Sequence, residues 1–166
     1  MNLSQIKTLV VIPALTALGN ALHALDVPAA VPLLVGTGSA ETGYSYLAQF
    51  PSGPGIGFWE MEWDSPTATY EDTWTNFLNF PANAAIRSVI LALGGCNSQP
   101  PGSLMGTNLL FACAMARLKY WRSPLPLPAA TDAIGLANYH KDVYNTTLGA
   151  ADVQTNISLF QQAINA

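Results

Sequence analysis

Charge is what this sequence has least of. Only 10% of its 166 residues are charged, while 50% are hydrophobic. Ordinary soluble domains carry roughly 25% charged residues. The surface must therefore be poor in charge, through burial against partner chains, contact with a membrane, or a cover of Thr, Ser, Asn and Ala. Basic residues are scarcest: six Lys plus Arg against ten Asp plus Glu, for a net charge of −4. Four of the six lie from Arg87 to Arg122. That excludes the basic face on which nucleic-acid binding depends. It also removes any general attraction to an anionic cell wall, so contact with one would need a shaped groove. Two cysteines, Cys96 and Cys113, are too few for a disulfide framework and read as free thiols. No Cys or His cluster has metal-ligand spacing, so neither a metal nor another cofactor is expected. Gly-x-Ser-x-Gly, phosphate-loop and dinucleotide motifs are missing, which removes those enzyme classes.

What is present suits one compact, mainly α-helical domain spanning residues 1–166. Leu9 to Leu25 is apolar enough to suggest a membrane span or a signal peptide. Thr16, Asn20, His23, Asp26 and Pro13 interrupt it, and Lys7 is its only positive charge. The reading is a deeply packed helix over Leu3 to Leu25, with no transmembrane segment. Asp26 is expected to cap a second helix, with Pro28 in its first turn, that ends near Glu41 and Gly43. Gly53, Pro54, Gly55 and Gly57 rule out a regular helix there and leave room for a small β-hairpin. Helices follow from Ser65 to Phe80, from Pro81 to Gly94, and from Leu104 to Trp121. Ser123 to Pro128 is an extended crossing whose leucines ask for burial. A helix from Thr131 or Asp132 to Tyr144, a turn over Asn145 to Gly149, and a last helix from about Ala151 to Ile164 complete the chain.

The chemistry concentrates in carboxylates. Of four glutamates, Glu41, Glu60 and Glu62 fall close together. Cleaving a glycan needs a carboxylic acid still protonated near neutral pH, to protonate the departing sugar oxygen. An apolar wall raises a carboxyl pKa by disfavouring the charged form. A helix C-terminus does the same, because its dipole opposes negative charge. Glu41 has both features. Glu62 and Glu71 sit among polar neighbours and read as surface carboxylates. Trp59 and Trp63 suit either core packing or sugar stacking. His23 reads as a packed or half-exposed histidine, and His140 as a solvent-exposed one.

Three motifs carry a resemblance. They are Gly36-Thr37-Gly38-Ser39-Ala40-Glu41-Thr42-Gly43, then Gly57-Phe58-Trp59-Glu60-Met61-Glu62, then Tyr139-His140-Lys141-Asp142-Val143-Tyr144-Asn145-Thr146. Together they resemble the lytic transglycosylase and goose-type lysozyme superfamily. Trp121 to Pro128 narrows the likeness to transglycosylase-like proteins of tailed bacteriophages. The resemblance implies a lysozyme-like α domain with Glu41 as catalytic acid. It implies that Phe58 and Trp59 wall a sugar groove, with Thr42, Tyr144 and Asn145 as further substrate-binding candidates. Two departures stand out. Thr42 replaces the family's serine, and Glu60 stands where the family usually has glutamine. Glu60 could activate water as a second catalytic carboxylate, raise the Glu41 pKa by repulsion, or fill a structural position.

The same resemblance implies a peptidoglycan glycan strand as partner. It places the chain in a phage virion, in the tail or among internal proteins, where it would aid wall penetration. There it would meet other virion proteins or copies of itself. Two alternatives stay open: a structural virion protein on an inactive lysozyme-like fold, and an endolysin.

Overall fold

The computed structural model describes residues 1–145 and 152–166. It is mainly helical with one small two-stranded antiparallel sheet, and forms a compact single domain. The turn expected over Asn145 to Gly149 and the start of the last helix at Ala151 fall largely outside the described residues.

The first helical stretch is continuous but not uniform. Helix α1 (Leu3–Ile6) passes through a π-helical segment, Lys7–Val11, into α2 (Ile12–Ala21). Asn2 caps it, its side chain accepting from the Gln5 amide at 3.2 Å. Pro13 accounts for the wide turn. A proline ring clashes with the carbonyl four residues earlier and donates no bond, and a π turn relieves both problems. Burial is one-sided, contrary to the expectation of packing all round. Ile6, Val11, Leu15 and Leu18 are in the core, whereas Leu9 is 68% exposed and Ile12 39%.

Helix α3 spans Ala30–Thr42 and ends on Gly43, whose φ of 57° is the left-handed cap that glycine adopts without cost. Asp26 does not cap it. The N-cap is Ala29, which offers no side-chain bond, and Asp26 instead packs against Gly19 of α2. Strands β1 (Gly55–Ile56) and β2 (Met61–Glu62) pair antiparallel, with Ile56 opposite Met61. This is the small hairpin that the Gly-rich segment left room for. Helix α4 (Thr69–Thr73) runs into a second π segment, Trp74–Leu78. It starts later than Ser65, because residues 65–68 form turns. After a 3-10 turn over Pro81–Asn83, α5 spans Ala84–Gly94 and stops at Gly95, also left-handed.

Helix α6 (Leu109–Trp121) is the axis of the molecule. Phe111, Cys113, Met115, Leu118 and Tyr120 are all buried, and α2, α3, α4 and α5 pack around them. It begins later than Leu104. Gly102–Gly106 is a 3-10 turn, and Asn108 is the cap, its carbonyl oxygen accepting from the Phe111 amide at 3.0 Å. The same side chain donates to the Leu93 carbonyl at 2.8 Å, tying the end of α5 to the start of α6. The Ser123 to Pro128 crossing has no regular structure, as expected. Its Leu125 is 51% exposed, however, so only part of that segment is anchored. Helix α7 (Ala133–Tyr139) continues into a third π segment, His140–Asn145. Helix α8 (Val153–Asn165), capped by Asp152, packs on both α3 and α7. Cys96 and Cys113 are free thiols. No single helix among the described residues is long and apolar enough to cross a membrane.

Candidate active site

The last turn of α3 is held by unusually close packing. A Cβ on Gly36 would lie 2.3 Å from the Phe160 ring of α8, and one on Gly38 would lie 2.5 Å from the Tyr44 ring. Glycine at both positions lets those rings lie directly on the helix backbone. Between them, the Thr37 hydroxyl shares a 2.7 Å hydrogen bond with Tyr120 of α6. Tyr44 donates to the Val35 carbonyl at 2.9 Å. The helix end is thus fixed on three sides, and it carries Glu41.

The Glu41 side chain is 12% exposed. Its carboxyl is raised to about 7, first by burial and then by the negative charge of Glu60. Lys119 and a hydrogen bond from the Asn145 side chain pull it the other way, but less strongly. At neutral pH a large share of this carboxyl therefore holds its proton. Nε2 of His140 lies 2.9 Å from its Oε1, off the line a hydrogen bond needs. His140 has no exposed side-chain surface. Burial, Lys119 and Lys141 lower its pKa to about 4, so the ring is neutral. The contact joins an acid to a neutral imidazole and is not an ion pair locking the carboxylate.

The π segment His140–Asn145 explains how both partners reach one carboxyl. In an α-helix residue 145 would lie about 140° around the axis from residue 140. The wider π turn brings the two within about 50°. Lys141 donates to the Asn145 carbonyl oxygen at 3.3 Å, which steers the amide N–H groups of that residue towards Glu41. Lys119 of α6 closes the far side. Its Nζ donates to the Tyr144 carbonyl at 2.7 Å and sits 3.7 Å from the centre of the Tyr144 ring. Burial lowers this amine to about 8, partly offset by Glu41.

Glu60 sits in the hairpin turn with φ of 44°, a conformation that costs a non-glycine residue of order 1 kcal/mol. Gly57 opens that turn at φ of 74°, its Cα against the Met105 carbonyl. Glu60 is half-buried, and burial raises its carboxyl. Glu62 is exposed.

The other residues singled out from the sequence stand behind these groups. Thr42 is buried and donates to the Phe58 carbonyl at 3.0 Å. Phe58 is 4% exposed, against the Tyr44 ring. Trp59 is 1% exposed and its indole donates to the Leu34 carbonyl at 3.0 Å. Tyr144 donates to the Trp59 carbonyl at 2.8 Å. Buried rings with committed hydrogen bonds position the hairpin and α3; they do not offer a stacking face. This corrects the expectation of direct sugar contact for Thr42, Phe58, Trp59 and Tyr144. Asn145 does reach the Glu41 carboxyl. His140, expected in solvent, is part of the centre, as is Lys119. The sequence signal for His140 was its five-residue spacing from Asn145, which places the two together only if the helix is π.

Two clefts, of about 420 and 360 Å³, lie elsewhere and include neither Glu41 nor Glu60. No group of His, Cys, Asp and Glu among the described residues could hold a metal ion. Searches of protein families, characterised proteins and solved structures find no match to this chain.

Proposed function

We propose that the chain is a peptidoglycan-cleaving glycosidase on a lysozyme-like domain, with Glu41 as its general acid. One observation carries this: a glutamate at a buried helix end whose carboxyl is raised to about 7. Such a group can protonate the oxygen of the β-1,4 bond between N-acetylmuramic acid and N-acetylglucosamine as that bond breaks. The carboxylate left behind then removes the proton of the muramyl C6 hydroxyl. That oxygen attacks C1, and a 1,6-anhydro ring forms without water. One carboxylate suffices for this route. Glu60 offers the hydrolytic alternative, in which it takes a proton from attacking water. Asn145 holds the acid by a hydrogen bond, and His140 keeps a neutral wall against it. The resemblance in the three motifs supports the substrate class and a place in a phage particle, where the enzyme would open the wall during genome delivery.

The deciding experiment is Glu41→Gln, assayed on purified cell walls. Clearing should fall about 10²- to 10⁴-fold. Product mass separates the two routes, because the anhydro product lacks one water. Unchanged clearing by the variant would sink the proposal. The exposed apolar residues Leu9, Ile12 and Leu22 favour a second role as an assembly unit. Particles that assemble normally with Glu41→Gln but fail to clear walls would show that the roles coexist. If the unmodified protein clears nothing while its loss stops assembly, the structural role stands alone.

A further inference from the structure

Arg117 is a buried cation with no anionic partner among the described residues. It is 1% exposed. Its Nε donates to the Leu25 carbonyl at 2.9 Å and an Nη to that of Ala24 at 3.4 Å. Both acceptors are neutral. Among the described residues the close contacts of a carboxylate with a basic side chain are Arg122 with Asp72 and His140 with Glu41, so no carboxylate of those residues lies within 4 Å of it. A neutral amide would satisfy two carbonyls at a far smaller desolvation cost than a guanidinium. The charge therefore calls for another explanation.

Arg117 lies in the floor of the larger cleft, about 420 Å³, a volume within the range of small-molecule sites, roughly 300–1,000 Å³. Tyr120, Trp121 and Tyr139 surround it, and Leu125 and Leu127 form a rim. The Arg117 guanidinium carbon lies over the Trp121 ring, 5.6 Å from its centre. Its remaining nitrogen, Nη1, has no acceptor among the described residues, and the residue lines the cleft. Burial lowers the group to about 10, so it stays charged at neutral pH with its charge uncompensated.

We infer that this cleft binds a small apolar carboxylate, with the acid group on Arg117 and the hydrocarbon between Trp121 and the Leu125–Leu127 rim. A single charge matches a single guanidinium. A phosphate would bring a second negative charge into an apolar cleft with nothing to meet it. The site is separate from Glu41 and does not rest on the glycosidase reading.

The test uses the whole ¹⁵N-labelled chain titrated with hexanoate, hexanol and inorganic phosphate. Amide shifts at Leu125 and Leu127 and the Trp121 indole signal give the affinities. Hexanoate should bind at least tenfold more tightly than hexanol, and phosphate should give no saturable shift. Leu125→Asp at the exposed rim should weaken hexanoate at least tenfold while Leu125→Asn does not. Arg117→Gln should level hexanoate with hexanol, and the Leu125 pair keeps the test decisive if that variant fails to fold. Equal binding of acid and alcohol overturns the inference, as do tight phosphate binding, indifference to Leu125→Asp, or no saturable shift with hexanoate.

Discussion

At the scale of single residues, Glu41 and His140 titrate in opposite senses. The folded pKa of Glu41, about 7, lies above its ordinary 4.5. Its contribution to stability is complete below pH 4.5 and is lost as the pH rises through 7, a change on the order of 3 kcal/mol. The folded pKa of His140, about 4, lies below its ordinary 6.5. Its contribution is present above 6.5 and is lost as the pH falls through 4. Between pH 4.5 and 6.5 the two slopes oppose, so the native protein should show a nearly flat stability. Urea unfolding at pH steps should separate them. Glu41→Gln should gain stability from pH 4 to 6.5, and His140→Gln should lose it from 4.5 to 7; parallel curves would refute the assignment. The activity profile carries a second sign. Since Glu60 raises Glu41 and Asn145 lowers it, the alkaline limb of wall clearing should move down in Glu60→Gln and up in Asn145→Ala. Shifts in the same direction would remove Glu60 or Asn145 from the centre. The carboxyl chemistry was legible because an apolar helix ending in Glu-Thr-Gly states its own environment. His140 was not, because its burial depends on α8 folding back across it, a contact that no local pattern encodes.

At the scale of elements, backbone closeness sets the position of the acid. Alanine at Gly36 would gain about 0.5–1 kcal/mol of helix propensity. It would also drive a methyl into the Phe160 ring, where the Cβ would lie only 2.3 Å away. Overpacking of this kind costs about 1–3 kcal/mol and wins, since a ring packed in the core cannot bend aside. Gly36→Ala should therefore lower the unfolding midpoint, and adding Phe160→Leu should restore part of the loss. Additive losses in the double variant would mean the contact is not there. A separate element test is Asn108→Ala. It removes both the cap of α6 and the bond to Leu93, and should cost about 1–2 kcal/mol by the same measurement. Helix identity was readable throughout, because apolar periodicity and glycine stops are local. Among the described residues three helical segments are π-helical, and only Pro13 gave a local reason for one. The segment that matters most, His140–Asn145, is shaped by what it must reach across the core.

At the scale of the whole molecule, a low charge content was the first feature of the sequence, and it bears on how any glycan target would be met. The net charge is −4, and the cations nearest the candidate acid are already engaged. Lys119 is held by Tyr144 and Lys141 by Asn145. Arg122 is paired with Asp72. The glycan strands of a cell wall carry carboxylates on their lactyl and peptide groups. Long-range attraction is therefore absent, and the mean field opposes approach. Screening acts on such a field within about 10 Å at 0.1 M salt. A wall enzyme that relied on a basic surface would lose activity steeply as salt rises. Here kcat/KM on purified walls should hold or rise modestly from about 10 to 150 mM salt. Direct contacts at the acid, too short-range to be screened, would then carry recognition. A steep fall with salt would show instead that a basic surface, absent from this charge balance, governs the encounter.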